Sequence, residues 1–191
     1  MRRNFVIALL YTAVTTLIFG LAYPLAVTGL AQLLFKNKAN GQLLTRNGEL
    51  IGSRLIGQAF SSPIYFHSRP SAAGNGYDAA NSGGSNLGPT SQKLVDRITG
   101  DAATASADHP GTDVPVDLVT TSASGLDPDI TPAAAEYQVH RVAQSRHMAD
   151  ADLRNIVSKH TEGRELGFLG EARVNVLELN LDLDRVAPVK Q

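Results

Sequence analysis

The stretch FVIALLYTAVTTLIFGLAYPLAVTGLAQLLF, residues 5–35, runs 31 positions without an Asp, Glu, Lys or Arg. About 20 apolar residues are enough to cross a hydrocarbon core of roughly 30 Å. This stretch therefore reads as a membrane anchor, and it decides the architecture. A single hydrophobic N-terminal segment, residues 1–35, precedes a polar chain, residues 36–191, with the composition of one water-soluble domain. A cleaved signal peptide is the competing reading, because Met1, Arg2 and Arg3 make a basic start and Gly29 and Ala31 are small. The apolar part of a signal peptide is only about 7 to 15 residues long, which favours the uncleaved anchor. Fully helical, the stretch would be about 46 Å long. The span is accordingly placed at residues 5–23, with tilt, a kink at Pro24 or an extramembrane continuation taking up the rest.

Arg2, Arg3 and the amino terminus on one side compete with Lys36, Lys38 and Arg46 on the other, so the positive-inside rule is nearly balanced. A short basic start before a first span favours a cytoplasmic N-terminus and an extracytoplasmic domain. Within the span, Ala8, Thr12, Thr16 and Gly20 recur at every fourth position. They form a small-residue ridge of the kind that admits a second helix closely. Chance recurrence of common membrane residues is the plainer account. No ionisable group lies in the span, so this helix does not form an ion path by itself.

The chain has 17 basic and 18 acidic residues and a formal charge of -1. Setting aside Arg2 and Arg3 leaves the remainder at -3. Nothing in that balance points to nucleic acid. Absence of cysteine removes disulfides and thiol or zinc-thiolate sites. The five histidines share no metal-binding motif. Gly 17 and Pro 9, with no Trp, indicate long loops around a modest core. The expected fold is one transmembrane helix carrying one mixed α/β (α+β) extracytoplasmic domain with long loops.

Glycine punctuation through residues 50–57 predicts short strands or turns. Residues 64–67 and 114–121 read as strands, and residues 71–89 as a long Gly, Ser and Asn-rich loop. Thr90 or Ser91 opens a helix through Leu94, Val95 and Ile98 that ends near Gly100 or frays beyond it. Thr131-Pro132 opens a helix to about His147, with Ala135, Val139, Val142 and Arg146 on one stripe beside Ala134 and Gln138. Asp150 caps a third helix containing Leu153, Ile156 and Val157. Leu179, Leu181 and Leu183 alternate like a strand. The spacing of Val176, Leu179, Leu183 and Val186, with Asn175 three positions before Glu178, favours a helix from Val176.

Six strings, in order along nearly the whole chain, carry a family likeness. They are Leu55-Ile56-Gly57-Gln58, Tyr65-Phe66-His67-Ser68-Arg69-Pro70-Ser71, Ser82-Gly83-Gly84-Ser85-Asn86-Leu87, Ser122-Ala123-Ser124-Gly125-Leu126-Asp127, Gln138-Val139-His140-Arg141-Val142-Ala143 and Val174-Asn175-Val176-Leu177-Glu178-Leu179-Asn180. With the anchor before them, the chain resembles the C subunits of Kdp-type potassium pumps, which are bacterial P-type ATPases of the inner membrane. The resemblance implies three partners: a channel-like potassium-binding subunit, a P-type ATP-hydrolysing subunit and a small helical subunit. Membrane lipid is the remaining neighbour. It also implies ATP and potassium as ligands of the complex, with no cofactor bound by this chain alone. No P-type phosphorylation signature, Walker loop or Gly-x-Ser-x-Gly elbow appears, so no catalytic residue is assigned. The expected role is a non-catalytic accessory subunit that supports assembly and potassium entry. The family's description as a catalytic chaperone raising ATP affinity is the alternative.

Several residues have two readings. Asp127 and Asp129 form either a cation-attracting pair or ordinary turn chemistry ahead of Thr131-Pro132. Arg69 and Arg141 engage either a partner subunit or a carboxylate of this chain. For a nucleotide, Ser82, Gly83, Gly84 and Ser85 offer backbone N–H groups and Gln138 a side-chain amide. Their plainer readings are a turn and a packing glutamine.

Overall fold

Pro24 sets the form of the N-terminal helix. Its ring lacks an N–H and collides with the carbonyl four residues back, so an unbroken α-helix cannot pass through it. In the computed structural model, which describes residues 1–188 and only the backbone of Asp108, the chain meets this with a wide turn. Helix α1, Arg2–Thr15, passes into a π-helical segment, Thr16–Ala22, in which the Tyr23 N–H donates to the Ile18 carbonyl five residues earlier. Helix α2, Tyr23–Leu34, then continues with Pro24 in its first turn. Arg2–Leu34 is thus one 33-residue helix, about 50 Å long, with a composition that can cross a membrane. It does not stop at Tyr23. Residues 189–191, at the end of the expected soluble domain, lie outside the described residues.

The chain divides into two units, Met1–Ser53 and Arg54–Gln191. In the first, α2 is followed by the single-turn α3, Lys36–Ala39, and an antiparallel hairpin of β1, Leu43–Arg46, and β2, Glu49–Ser53. The hairpin turns on Asn47-Gly48, both at positive φ (54° and 84°), the backbone that two-residue hairpins require.

In the second unit, α4, Gln92–Asp108, runs through Gly100 rather than ending there. Strand β3, Asp129–Ile130, precedes α5, Pro132–Arg146. The Thr131 hydroxyl accepts from the Ala134 N–H at 3.2 Å, and α5 closes on a left-handed His147. Helix α6, Asp150–Lys159, follows. Its cap position is Ala149, and Asp150 stands one residue inside, bonded to His140 at 3.2 Å. Strands β4, Thr161–Glu162, and β5, Arg173–Asn175, complete an antiparallel sheet ordered β3-β5-β4. Asn175 then caps α7, Val176–Val186, its side-chain oxygen accepting from the Glu178 N–H at 3.1 Å. The leucine alternation is therefore helical, with Leu179 and Leu183 both buried.

The core joins Phe66 and Ile130 to Ala135, Val139 and Val142 of the expected α5 stripe, to Leu153, Ile156 and Val157 of α6, and to Val176, Leu179 and Leu183 of α7; Arg146, on the same stripe, is buried as a polar side chain. Burying each of the Phe, Ile, Leu and Val side chains among these contributes about 1.5–3 kcal/mol.

Two expected strands are absent. Residues 114–121 form a 3-10 turn, Val116–Leu118. Pro115 supplies no N–H there, and the Asp117 carboxylate turns back to accept the Thr131 N–H at 2.7 Å. Residues 64–67 form no strand: the Tyr65 N–H closes a turn on the Ser62 carbonyl, and the Phe66 and His67 backbone groups are met by side chains rather than by a neighbouring strand.

Candidate functional site: an interlocked motif network beside a cleft

The second string lies where two helices each direct an amide at it. Asn180, from α7, accepts the Phe66 N–H at 2.9 Å and donates to the Phe66 carbonyl at 2.9 Å. Gln138, from α5, accepts the His67 N–H at 2.8 Å and donates to the His67 carbonyl at 3.1 Å. A primary amide carries a donor and an acceptor side by side, so each imitates one residue of a paired strand. Both amides are buried, and Gln138 also serves the Ala134 carbonyl and accepts from Arg141 at 2.7 Å. The hydrogen-bonding capacity of Gln138 is committed within the fold.

Arg69 extends the network. Its guanidinium pairs with Asp127 at 3.0 Å and donates to the Thr120 carbonyl and hydroxyl at 3.4 and 3.3 Å. Two residues that the sequence leaves open thus meet each other. Ser71 donates to the Gly125 carbonyl at 2.6 Å and accepts from the Ala73 and Tyr77 N–H groups. Tyr77, held at φ 56°, donates its hydroxyl to the Arg69 carbonyl. Burial raises the pKa of its phenol, which keeps that donor protonated.

The glycines of the strings allow loops to touch backbone to backbone. The Gly57 N–H donates to the Leu126 carbonyl at 2.8 Å, and a Cβ at Gly57 would lie 2.4 Å from the Asp127 carbonyl oxygen. Ser82 and Gly83 both donate to the Ser124 carbonyl, at 2.9 Å each, while Gly84 faces Ala123. Ser85 follows on the same loop. The six strings therefore close on one another across the second unit.

Asp127 and Asp129 are not an open carboxylate pair. Asp129 lies 3.4 Å from Arg173 and accepts from Asn175 at 3.1 Å, while Asp127 faces Arg69. Burial is the main force raising the Asp129 pKa above 3.8, and the nearby Asp127 charge adds to it, against the lowering effects of Asn175 and Arg173. A raised folded pKa means stability that is present below the unfolded value and lost as pH rises through the folded one. Asp129→Asn, which keeps an acceptor for Asn175, is expected to melt above the wild type at neutral pH. The advantage should vanish below about pH 4. Melting curves of the two chains across that range check both the sign and the window.

Beside the network opens a cleft of about 490 Å³, lined by His67, Arg69, Tyr77, His109, Tyr137 and Arg141 among others. The Tyr137 hydroxyl donates to the Ala105 carbonyl at 2.9 Å, and the His109 ring packs on Tyr137 at 4.6 Å between centroids. Arg141 donates to the Pro63 carbonyl at 2.7 Å as well as to Gln138. Among the described residues, no three His, Asp or Glu side chains are grouped to hold a metal ion. In the first unit Ala8, Thr12, Thr16 and Gly20 are all exposed, and a Cβ at Gly20 would rest 3.6 Å from Thr16 Cγ2, so these two positions adjoin on one face.

Tyr77 and Asn180 carry this network, and the Arg146 guanidinium and the Tyr65 hydroxyl meet at Asp184 beside it, yet none of these four reads as a site residue in the sequence. Asn180 and Tyr65 do belong to the strings of the family likeness, which was the available signal.

The family described as the potassium-transporting ATPase C chain, KdpC, matches residues 5–185. The potassium-transporting ATPase KdpC subunit of Koribacter versatilis is 62% identical over 189 residues, covering 99% of this chain and 98% of that protein. The subunits of the same description from Acidobacterium capsulatum and Bradyrhizobium diazoefficiens are 58% and 53% identical, each covering 94% of this chain and 96% of theirs. With matches spanning both units and every string of the interlocked network, the chain belongs to the KdpC family of potassium-transporting ATPase subunits.

Proposed function

We propose that this chain is a non-catalytic accessory subunit of the potassium-transporting ATPase, anchored by α1 and α2 with its N-terminus cytoplasmic and its second unit extracytoplasmic. Its task is to hold the complex together and shape potassium entry at the channel-like subunit, alongside the ATP-hydrolysing and small helical subunits. The observation that carries this reading is the network itself. The motif side chains bond chiefly to one another and to backbone, building a rigid body rather than aligning a nucleophile with a base.

Ala8, Thr12, Thr16 and Gly20 are the face offered to a neighbouring helix, where close packing replaces the hydrophobic drive that lipid does not supply. Arg69, Asp127, Asp129 and Arg141 then act mainly within the fold. The ATP-affinity alternative requires Gln138, Ser82 or Gly83 to leave these partners, or Gly84 and Ser85 to turn their N–H groups to a nucleotide, and a cytoplasmic second unit.

One experiment on the whole complex separates the readings. Thr99→Cys puts the only thiol of the chain on an exposed position of α4. A membrane-impermeant maleimide is expected to label it in intact cells. Labelling only after the membrane is breached would reverse the sidedness and revive the ATP reading. In the same membranes, Gly20→Leu should lower recovery of the assembled complex without lowering insertion of the chain. Unchanged recovery would remove the ridge from the proposal.

A further inference from the structure

Three Asn-Gly steps lie on the chain, Asn40-Gly41, Asn47-Gly48 and Asn75-Gly76. Asparagine before glycine has a covalent chemistry of its own. The glycine nitrogen can attack the side-chain carbonyl carbon of the asparagine, Cγ, and close a succinimide ring, and a residue without a side chain crowds that attack least. Hydrogen bonding holds the reaction back in a folded chain. The nitrogen is not available while its N–H serves a carbonyl, and the amide cannot swing toward it while it serves partners elsewhere.

Two of the three steps are held in this way. The Gly41 N–H donates to the Lys38 carbonyl at 3.2 Å, while the Asn40 amide donates to the Lys36 carbonyl at 2.7 Å and accepts from Gln32 at 3.0 Å. The Gly76 N–H donates to the Ala73 carbonyl at 2.8 Å, which also accepts the Asp78 N–H at 3.2 Å, and Ala73 is fully buried. Asn47-Gly48 is different. Among the described residues, neither the Gly48 N–H nor the Asn47 side chain has a hydrogen-bond partner, and both residues are exposed. A Cβ at Gly48 would meet nothing within 4 Å, so the space beside the nitrogen is open. The attack also needs Asn47 to leave its left-handed backbone, φ 54°. Strands β1 and β2 pair only with each other, and a two-stranded hairpin is marginally stable in water. Its tip therefore opens locally, without unfolding the rest of the chain.

We propose that Asn47 is a site of spontaneous deamidation. A bond forms between the Gly48 nitrogen and Asn47 Cγ, the bond from Cγ to the side-chain nitrogen breaks, and that nitrogen leaves as ammonia with the proton that Gly48 gives up. Water then opens the succinimide. Its attack at Cγ yields aspartate, and its attack at the main-chain carbonyl yields isoaspartate, whose backbone runs through the former side chain. Either product carries a carboxylate where the turn had an amide. Isoaspartate also lengthens the backbone by one methylene, which a two-residue hairpin turn of fixed dihedrals does not accommodate. In that form the pairing of Arg46 with Glu49 across the turn is lost.

The test ages membranes holding the complete complex at mildly alkaline pH and, in parallel, the same chain unfolded in guanidinium chloride. Trypsin cuts after Lys38, Arg46 and Arg54, so each Asn-Gly step falls in its own peptide. Digestion in heavy-oxygen water marks any conversion during preparation. In the membranes the Asn47 peptide should become about one dalton heavier about tenfold faster than the Asn40 or Asn75 peptide, because each of those must first break a hydrogen bond. In guanidinium the three should convert at similar rates. An intact Asn47, or Asn40 or Asn75 keeping pace with it in the membranes, would overturn the proposal. The same lead for Asn47 in the unfolded chain would also overturn it, by tracing the lead to neighbouring residues rather than to the turn. Electron-transfer fragmentation should find isoaspartate among the products. Aspartate alone would mean direct hydrolysis of the side chain and would overturn the attack by Gly48.

Discussion

Asn180→Leu is expected to lower the melting temperature of the chain by about 5–15 °C, a loss of roughly 2–5 kcal/mol. Asn180 is 1% exposed and Phe66 is fully buried. Leucine keeps the branching of asparagine but has neither donor nor acceptor, and its two methyl groups add bulk at a fully packed position. The Phe66 N–H and carbonyl would then both stay buried without partners, and each such group costs about 1–3 kcal/mol. In solution acid enough to protonate the carboxyl, Asn180→Asp keeps both an acceptor for the Phe66 N–H and a donor for the Phe66 carbonyl, and should lose less than leucine. Thermal melts of the three chains in detergent give the ranking. Hydrogen exchange at the Phe66 amide gives the location, since protection there should fall first. Equal melting temperatures for the wild type and the leucine variant would show that the amide pairing contributes nothing.

Arg146→Met should cost about 3–5 kcal/mol, the range for removing one member of a buried ion pair. The Arg146 side chain has no exposed surface, while that of its partner Asp184 retains 19%. Its guanidinium donates to the Ile64 carbonyl at 2.7 Å, the Ala187 carbonyl at 2.9 Å and Asp184 at 2.8 Å, and it lies 4.9 Å from the centre of the Tyr65 ring. Tyr65 in turn donates to Asp184 at 3.0 Å. One side chain therefore ties the end of α5 to residues 64–65 and to the end of α7. Methionine fills most of the space and serves none of these acceptors. Arg146→Lys should recover only part of the loss, because an ammonium cannot span the same fork. Denaturant titrations of the three chains check the order, and a lysine variant as stable as the wild type would reduce the role of Arg146 to its charge.

What was readable in the sequence follows from how locally each element is determined. The anchor is a property of composition, and α5 is announced by Thr131-Pro132 with an apolar stripe that the structure buries. Asn175 resolved α7 because a cap sits beside the helix it caps. Residues 64–67 escaped because their partners, Gln138 and Asn180, lie 71 and 114 positions away. No window of sequence contains such a pairing. The sheet escaped because its strands are two or three residues long, too short to show alternation. Arg146 fell on the buried stripe at the right spacing, but spacing alone cannot tell an apolar contact from a hub of carbonyls. Arg69 and Asp127 are separate candidates in the sequence because they lie 58 positions apart, and the fold pairs them.

The π-helical turn ahead of Pro24 has a geometric consequence for the anchor. An inserted residue rotates everything beyond it by about 100° around the helix axis. Side chains from Tyr23 onward are therefore out of phase with those before Thr16. A straight neighbour following the small-residue edge of the first half loses that edge in the second. The N-terminal helix is thus two successive surfaces with different azimuths.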